Sequence, residues 1–284
     1  MKSKNPYIGA HVSGGLRNVI MNAEAIGAEC IQFFGASPRQ WNVSMPKKDD
    51  ISFFKDARKQ SAIKSVYLHA AYLPNLATAD PEMYRKSIDN LVSHLHIASC
   101  IDADGLIFHV GSGKEAPKDQ ALAQAVAGMK EVLARVPGSS KLVMENAAGG
   151  GQKLGATPHE LGIMLRGVRS SRMGVCIDTA HAFEAGIIEA YTKATIAKLC
   201  EVLESEIGLE NVRALHVNDS KTVFNSHHDR HENIGEGHIG LQGFKALVQE
   251  TRLYDKAWIL EVPGFDGGGP DARNVSLLKG MFNE

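Results

Sequence analysis

The sequence predicts one (β/α)8 barrel spanning residues 1–284 as a single domain. Two observations carry that expectation. Eight short apolar runs recur along the chain at fairly even spacing, and amphipathic helical patterns with readable starts lie between them. The runs are non-alternating and rich in branched or aromatic residues, as expected of parallel strands buried on both faces. Strand and helix alternating eight times build this architecture, and an open doubly wound sheet is the main alternative.

The runs, in order, are "YIGAH" closing at His11, "CIQFFG" at Gly35, "SVYLH" at His69, "GLIFH" at His109, "KLVME" at Glu145 and "MGVCID" at Asp178. Then come "RALHVND", carrying His216, and "AWILE" at Glu261. Asp80 followed by Pro81 reads as an N-cap with proline in the first turn. Thr157, Pro158 and Glu160 read as a capping box. Amphipathic stretches at Ala121–Val136 and Lys193–Ile207 fit crossover helices.

Composition narrows the function classes. The chain has 284 residues, is 44% hydrophobic and 22% charged, and carries a net charge of −1, which suits a soluble globular protein and argues mildly against a general nucleic-acid binder. Its start, "MKSKNPYIGAHVSGG", has no apolar core of a signal peptide, and no apolar run approaches the ~18 residues of a membrane span. Cys30, Cys100, Cys176 and Cys200 are far apart, with no CxxC pair, as expected of reduced thiols in the cytoplasm.

In this fold the reactive groups sit at the C-terminal ends of the strands. Here those ends carry His69, His109, Glu145, Asp178, His216 and Glu261. One such residue alone is an ordinary satisfied polar group. Six on one rim are costly to bury unless cations sit between them. Two loop motifs add to the set: "CIDTAH" places His181 three residues after Asp178, and "DRH" places Asp229 and His231 two apart, on one side of an extended segment. Nine N and O donors exceed one tetrahedral site and point to two or three ions sharing a carboxylate. The mixed set favours zinc, with manganese or iron as alternatives. His227, His228 and His238 read as outer or exposed loop residues, and His94 and His96 as structural or exposed.

The chain resembles the endonuclease IV family of zinc-dependent apurinic/apyrimidinic endonucleases. The likeness runs over nearly the whole length, through "IGAHVSGG", "PRQW", "LHAAYLPNLA", "FHVGS", "MENAAGGG", "GVCIDTAHAFEAG", "LHVNDSK", "DRHENIGEGHIG" and "LEVP". It implies a TIM barrel with three zinc ions, Mn2+ being an option at one site. By motif, His69, His109 and Glu145 would hold the first. Glu145, Asp178, His216 and Glu261 would hold the second, and His181, Asp229 and His231 the third. The catalytic roles would fall to Glu145, Glu261 and Asp229.

The resemblance further implies a monomer acting on double-stranded DNA with abasic sites or blocked 3′ ends. Cleavage would fall 5′ to the lesion and leave a 3′-hydroxyl and a 5′-deoxyribose phosphate. Arg39 in "PRQW" and Tyr72 in "HAAYL" would enter the duplex, while "AAGGGQKLG" would form flexible rim backbone. The segment from His216 to His231 would be two ligand motifs joined by a mobile connection. Rival readings are a xylose-isomerase-like sugar isomerase or epimerase and a non-catalytic metal-stabilised scaffold. The set of His181, Asp229 and His231 argues against the first, and an open position between ligands against the second.

Overall fold

The computed structural model describes residues 5–114 and 116–283; the first four residues of the stretch weighed as a signal peptide lie outside them. Among the described residues, all eight expected runs form strands. They are β1 (Tyr7–His11), β2 (Cys30–Phe34), β3 (Ser65–His69), β4 (Gly105–His109), β5 (Lys141–Glu145), β6 (Met173–Asp178) and β7 (Val212–His216). A two-stranded hairpin follows, β8 (Asp219–Ser220) with β9 (His231–Glu232), and then β10 (Ala257–Leu260). The eight longer strands close into a barrel in the order β1-β10-β7-β6-β5-β4-β3-β2. Every pairing in it is parallel, β1 pairing with both β2 and β10. An open sheet is therefore excluded. No helix among the described residues is long and apolar enough to cross a membrane.

Helices cover the outside: α1 (Gly15–Ala25), α2 (Lys48–Gln60), α3 (Pro81–Cys100), α4 (Lys118–Arg135) and α5 (Pro158–Val168). After β6 come α6 (Thr179–Glu184) and α7 (Lys193–Glu206), then α8 (Gly240–Leu247) and α9 (Ala272–Gly280). Asp80 caps α3 as expected, its Oδ1 accepting from Glu82 N at 2.8 Å and Met83 N at 3.1 Å. At α5 only half of the expected capping box forms. Thr157 Oγ1 accepts from Glu160 N at 3.2 Å, but the Glu160 carboxylate turns away to accept from Gly155 N at 2.9 Å and to pair with Lys118. The reciprocal pattern occurs at α7 instead, between Thr192 and Thr195.

The inside of the barrel explains why the strand runs do not alternate. Outward residues such as Phe33, Leu68, Phe108 and Met144 pack under the helices. Inward residues Cys30, Tyr67, Ile107, Val143, Cys176, Ala214 and Ile259 form a separate apolar plug. Side chains repeat every two residues along a strand. Two residues beyond these seven stand Gln32, His69, His109, Glu145, Asp178, His216 and Glu261. The polar layer is therefore the next inward layer above an apolar one. On β1 the matching positions are Gly9 and His11.

Gly9 is a close-approach position: a Cβ there would lie 1.7 Å from the Cys30 carbonyl oxygen. Gly9→Ala is expected to separate β1 from β2 and cost ~3 kcal/mol, the upper end of overpacking. Gly280→Ala, where nothing lies within 4 Å, is the control and should leave the unfolding midpoint unchanged or raised. Equal midpoints for the two variants in denaturant unfolding would contradict the packing argument.

Candidate metal centre

Glu145, at the end of β5 and 1% exposed, sits where several imidazoles converge. Its Oε2 lies 3.2 Å from His69 Nε2 and 3.5 Å from His109 Nε2. Its Oε1 lies 2.9 Å from His216 Nδ1 and 3.2 Å from His181 Nδ1. His216 Nδ1 is also 3.0 Å from Glu261 Oε2 and 3.9 Å from Asp178 Oδ2. Donor atoms of His69, His109 and Glu145 lie within 4.8 Å of one another, as do those of Glu145, Asp178, His216 and Glu261. Glu145 belongs to both groups, so its two oxygens face two potential cation positions.

One ring nitrogen of each of three imidazoles is held by another group. His69 Nδ1 donates to Ala70 O at 2.8 Å. His181 Nδ1 donates to Asn146 O at 2.9 Å, which leaves Nε2 free of hydrogen bonds and buried. His216 Nε2 donates to Gln32 Oε1 at 2.8 Å, which turns Nδ1 towards Glu145 and Glu261. A ligating histidine ordinarily fixes its tautomer in this way. Carboxylates are held likewise. Asn218 Nδ2 donates to Asp178 Oδ2 at 2.7 Å, and Gln32 Nε2 donates to Glu261 Oε1 at 2.5 Å.

Electrostatics say the same. Burial alone would raise the Glu145 and Glu261 carboxyls. The facing histidines override it and hold both well below the usual carboxylate range, His109 and His216 at Glu145 and chiefly His216 at Glu261. Burial would likewise lower His181, but Asp178 and Asp229 hold it well above the usual imidazole range. These carboxylates demand positive charge, and protons on buried imidazoles are a poor source of it beside a divalent cation. The donor set therefore fits metal ions.

The remaining expected ligands approach from beyond the strand ends. The sequence places His181 on a loop; the structure places it in the first turn of α6, which Asp178 caps by accepting from His181 N at 2.8 Å. Asp229 and His231 come from the β8–β9 hairpin. His181 Nε2 is 3.3 Å from Asp229 Oδ1, His231 Nε2 is 3.8 Å from the same oxygen, and His231 Nε2 is 3.4 Å from Asp178 Oδ2. His231 Nε2 is also buried without a hydrogen bond. The connection between the two ligand motifs is tied down, not loose: Lys221 N donates to Arg230 O at 2.8 Å, and Thr222 Oγ1 to His228 O at 3.0 Å.

Arg39 and Tyr72 stand exposed at this rim. Tyr72 N donates to Pro38 O at 3.0 Å, and the Tyr72 ring packs edge-on to Phe34 with centroids 5.4 Å apart. Tyr72 lies between two clefts. One is lined by His69, His231 and Glu261, the other by Asn75, Ala147 and Lys153, and both reach His109, His181 and Asp229. Gly149, Gly150 and Gly151 all take positive φ at the second cleft's margin. His227, His228, His238 and His96 are exposed, as expected. His94 is wholly buried, and burial pushes it down to about 4, so it is a neutral core residue. Reading the strand ends for acids and imidazoles misses Gln32, Asn146 and Asn218. The signal for Gln32 is its place two residues past Cys30, on a strand like its neighbours.

Residues 20–279 match the xylose isomerase-like TIM barrel family. A probable endonuclease 4 of Persephonella marina is 35% identical over 278 residues, covering 97% of this chain and 96% of that one. One from Nitratidesulfovibrio vulgaris is 35% identical over 279 residues, covering 96% and 98%. The crystal structure of endonuclease IV from Thermus thermophilus superposes with a TM-score of 0.84 at 30% identity, covering 98% and 99%. A D-tagatose 3-epimerase-like protein superposes with a TM-score of 0.70 at 15% identity over 98% and 97%, a likeness of fold alone.

Gln32 touches both His216 and Glu261, so Gln32→Leu should weaken Zn2+ binding ~10- to 100-fold. Circular dichroism should show the barrel intact. Unchanged affinity in a chelator competition would show that the amide does not set the ligand geometry.

Proposed function

The chain belongs to the endonuclease IV family and is a DNA-repair endonuclease, and from that premise we propose its lesion, metals and residue roles. It cuts the phosphodiester 5′ to an abasic nucleotide in duplex DNA, leaving a 3′-hydroxyl and a 5′-deoxyribose phosphate, and trims blocked 3′ ends. It acts as a monomer of one domain. The observation that carries this reading is the position of Glu145, shared between two groups of donors, with the outer nitrogens of His69 and His216 already tied.

Three zinc ions fit the donors: one with His69, His109 and Glu145, one with Glu145, Asp178, His216 and Glu261, and one with His181, Asp229 and His231. Mn2+ is an option at one of these. Bound there, they would supply a water activated near neutral pH and positive charge against the phosphate. The chain's own residues do the rest. Glu261, anchored by Gln32, and Glu145, at the end of β5, hold the attacking side of the site in register. Asp229 and His231, anchored by the hairpin, face the leaving side. Arg39 and Tyr72 enter the duplex from the rim. Tyr72 offers a ring braced on Phe34 in place of the lost base, and Arg39 offers a cationic plane beside phosphate. An abasic nucleotide is cheaper to extrude because it has no base to unstack.

A sugar epimerase is the weaker reading, since the relatives at 35% identity are endonucleases and the epimerase likeness lies in the barrel.

Incision of a duplex with one abasic site tests the assignment. The purified chain should nick it 5′ to the lesion, lose activity on chelation and regain it with Zn2+, and elemental analysis should give about three zinc per chain. Incision indifferent to chelation, or an active sample with one ion, would overturn the trinuclear reading. The double substitution Arg39→Ala with Tyr72→Ala should impair incision of abasic duplex while sparing an end-positioned or single-stranded substrate. The salt slope of binding should fall only slightly, by about one phosphate contact. Equal loss on both substrates would place the defect in the metal site instead.

A further inference from the structure

We propose that Glu184 supplies a tenth donor, a carboxylate oxygen, to this centre, completing the cation position of His181, Asp229 and His231 as a set of two nitrogens and two carboxylates. The inference rests on the three-ion reading above. Glu184 lies on α6 one turn after His181, so both side chains leave the same face of the helix. It is fully buried. One oxygen of its carboxylate, one of Asp229 and a ring nitrogen of His181 lie within 4.8 Å of one another.

The two Glu184 oxygens are not equivalent. Oε1 accepts from Ser220 Oγ at 2.7 Å, Thr222 Oγ1 at 3.2 Å and Arg230 N at 3.3 Å. Oε2 is buried with no hydrogen-bond partner, and so is His181 Nε2. A buried carboxylate oxygen left unpaired is costly, and a cation shared with His181 would satisfy it. Oε1 meanwhile grips the hairpin at Arg230, between Asp229 and His231. One side chain thus holds the loop that carries two ligands and presents a further oxygen to the position they define. A second carboxylate also balances the charge of a divalent ion locally and shifts the site towards oxygen-preferring metals such as Mn2+.

Grip and ligation can be separated. Glu184→Gln keeps an Oε1-like carbonyl for the hairpin donors but replaces the anionic Oε2 with an amide. Ser220→Ala removes a grip donor and leaves the carboxylate. The probe is Zn2+ titrated into the chelator-stripped full chain against a chromophoric competitor, with circular dichroism on each variant. The native chain should take three ions. Glu184→Gln should keep its fold and bind two as before, with the third weakened ~10- to 100-fold, whereas Ser220→Ala should weaken it by no more than about threefold.

Unchanged third-ion affinity in Glu184→Gln would overturn the inference, because a carboxyl that stays neutral is well imitated by an amide. Equal losses in the two variants would overturn it too, reducing Glu184 to a loop anchor. A native chain that takes fewer than three ions would instead overturn the three-ion reading on which the inference stands.

Discussion

The carboxylate of Glu145 is the constraint around which the rest is arranged. It is buried at the mouth of the barrel, and imidazoles from β3, β4, α6 and β7 come within 3.5 Å of its oxygens. A buried anion of this kind is tolerable only if positive charge surrounds it. The imidazoles alone provide it only by being protonated, which removes their value as ligands. Cations between Glu145 and its neighbours resolve both demands, and the outer ties from Ala70 and Gln32 leave the inner nitrogens of His69 and His216 available for them.

The barrel makes that convergence possible through a period of two. Its interior is filled by one apolar layer, and the next inward residue on each strand opens into the site. Parallel register then sets neighbouring donors side by side: His109 pairs with Glu145, and Asp178 with His216. The closed sheet sets these pairings, and groups just past the strand ends, Ala70 and Asn218, hold His69 and Asp178 in place. The β8–β9 hairpin and α6 bring the remaining donors from outside the barrel, and both depend on local ties, Asp178 capping α6 and Glu184 gripping the hairpin.

Much of this was legible in the chain. Non-alternating apolar runs closing on His, Glu or Asp gave both the barrel and six of its rim residues, because one short strand both ends and aims its last side chain. The helix caps were only partly legible. Glu160 has the spacing of a capping box, yet its carboxylate finds Gly155 N and Lys118, a competition that only the fold creates. His181 looks like a loop residue in sequence because a six-residue helix is too short to show periodicity. Gln32, Asn146 and Asn218 escape notice because an amide within or just past a strand looks like an ordinary polar group. Their importance lies in which histidine or carboxylate they touch across the barrel. The asymmetry of the two Glu184 oxygens is likewise a three-dimensional fact.

Anomalous diffraction at the zinc edge, from crystals of the chain grown with Zn2+, would show whether cations share the Glu145 carboxylate. Three peaks are expected. One lies between His69, His109 and Glu145, one between Glu145, Asp178, His216 and Glu261, and one beside His181, Asp229 and His231. A single peak, or peaks that leave Glu145 unshared, would contradict it.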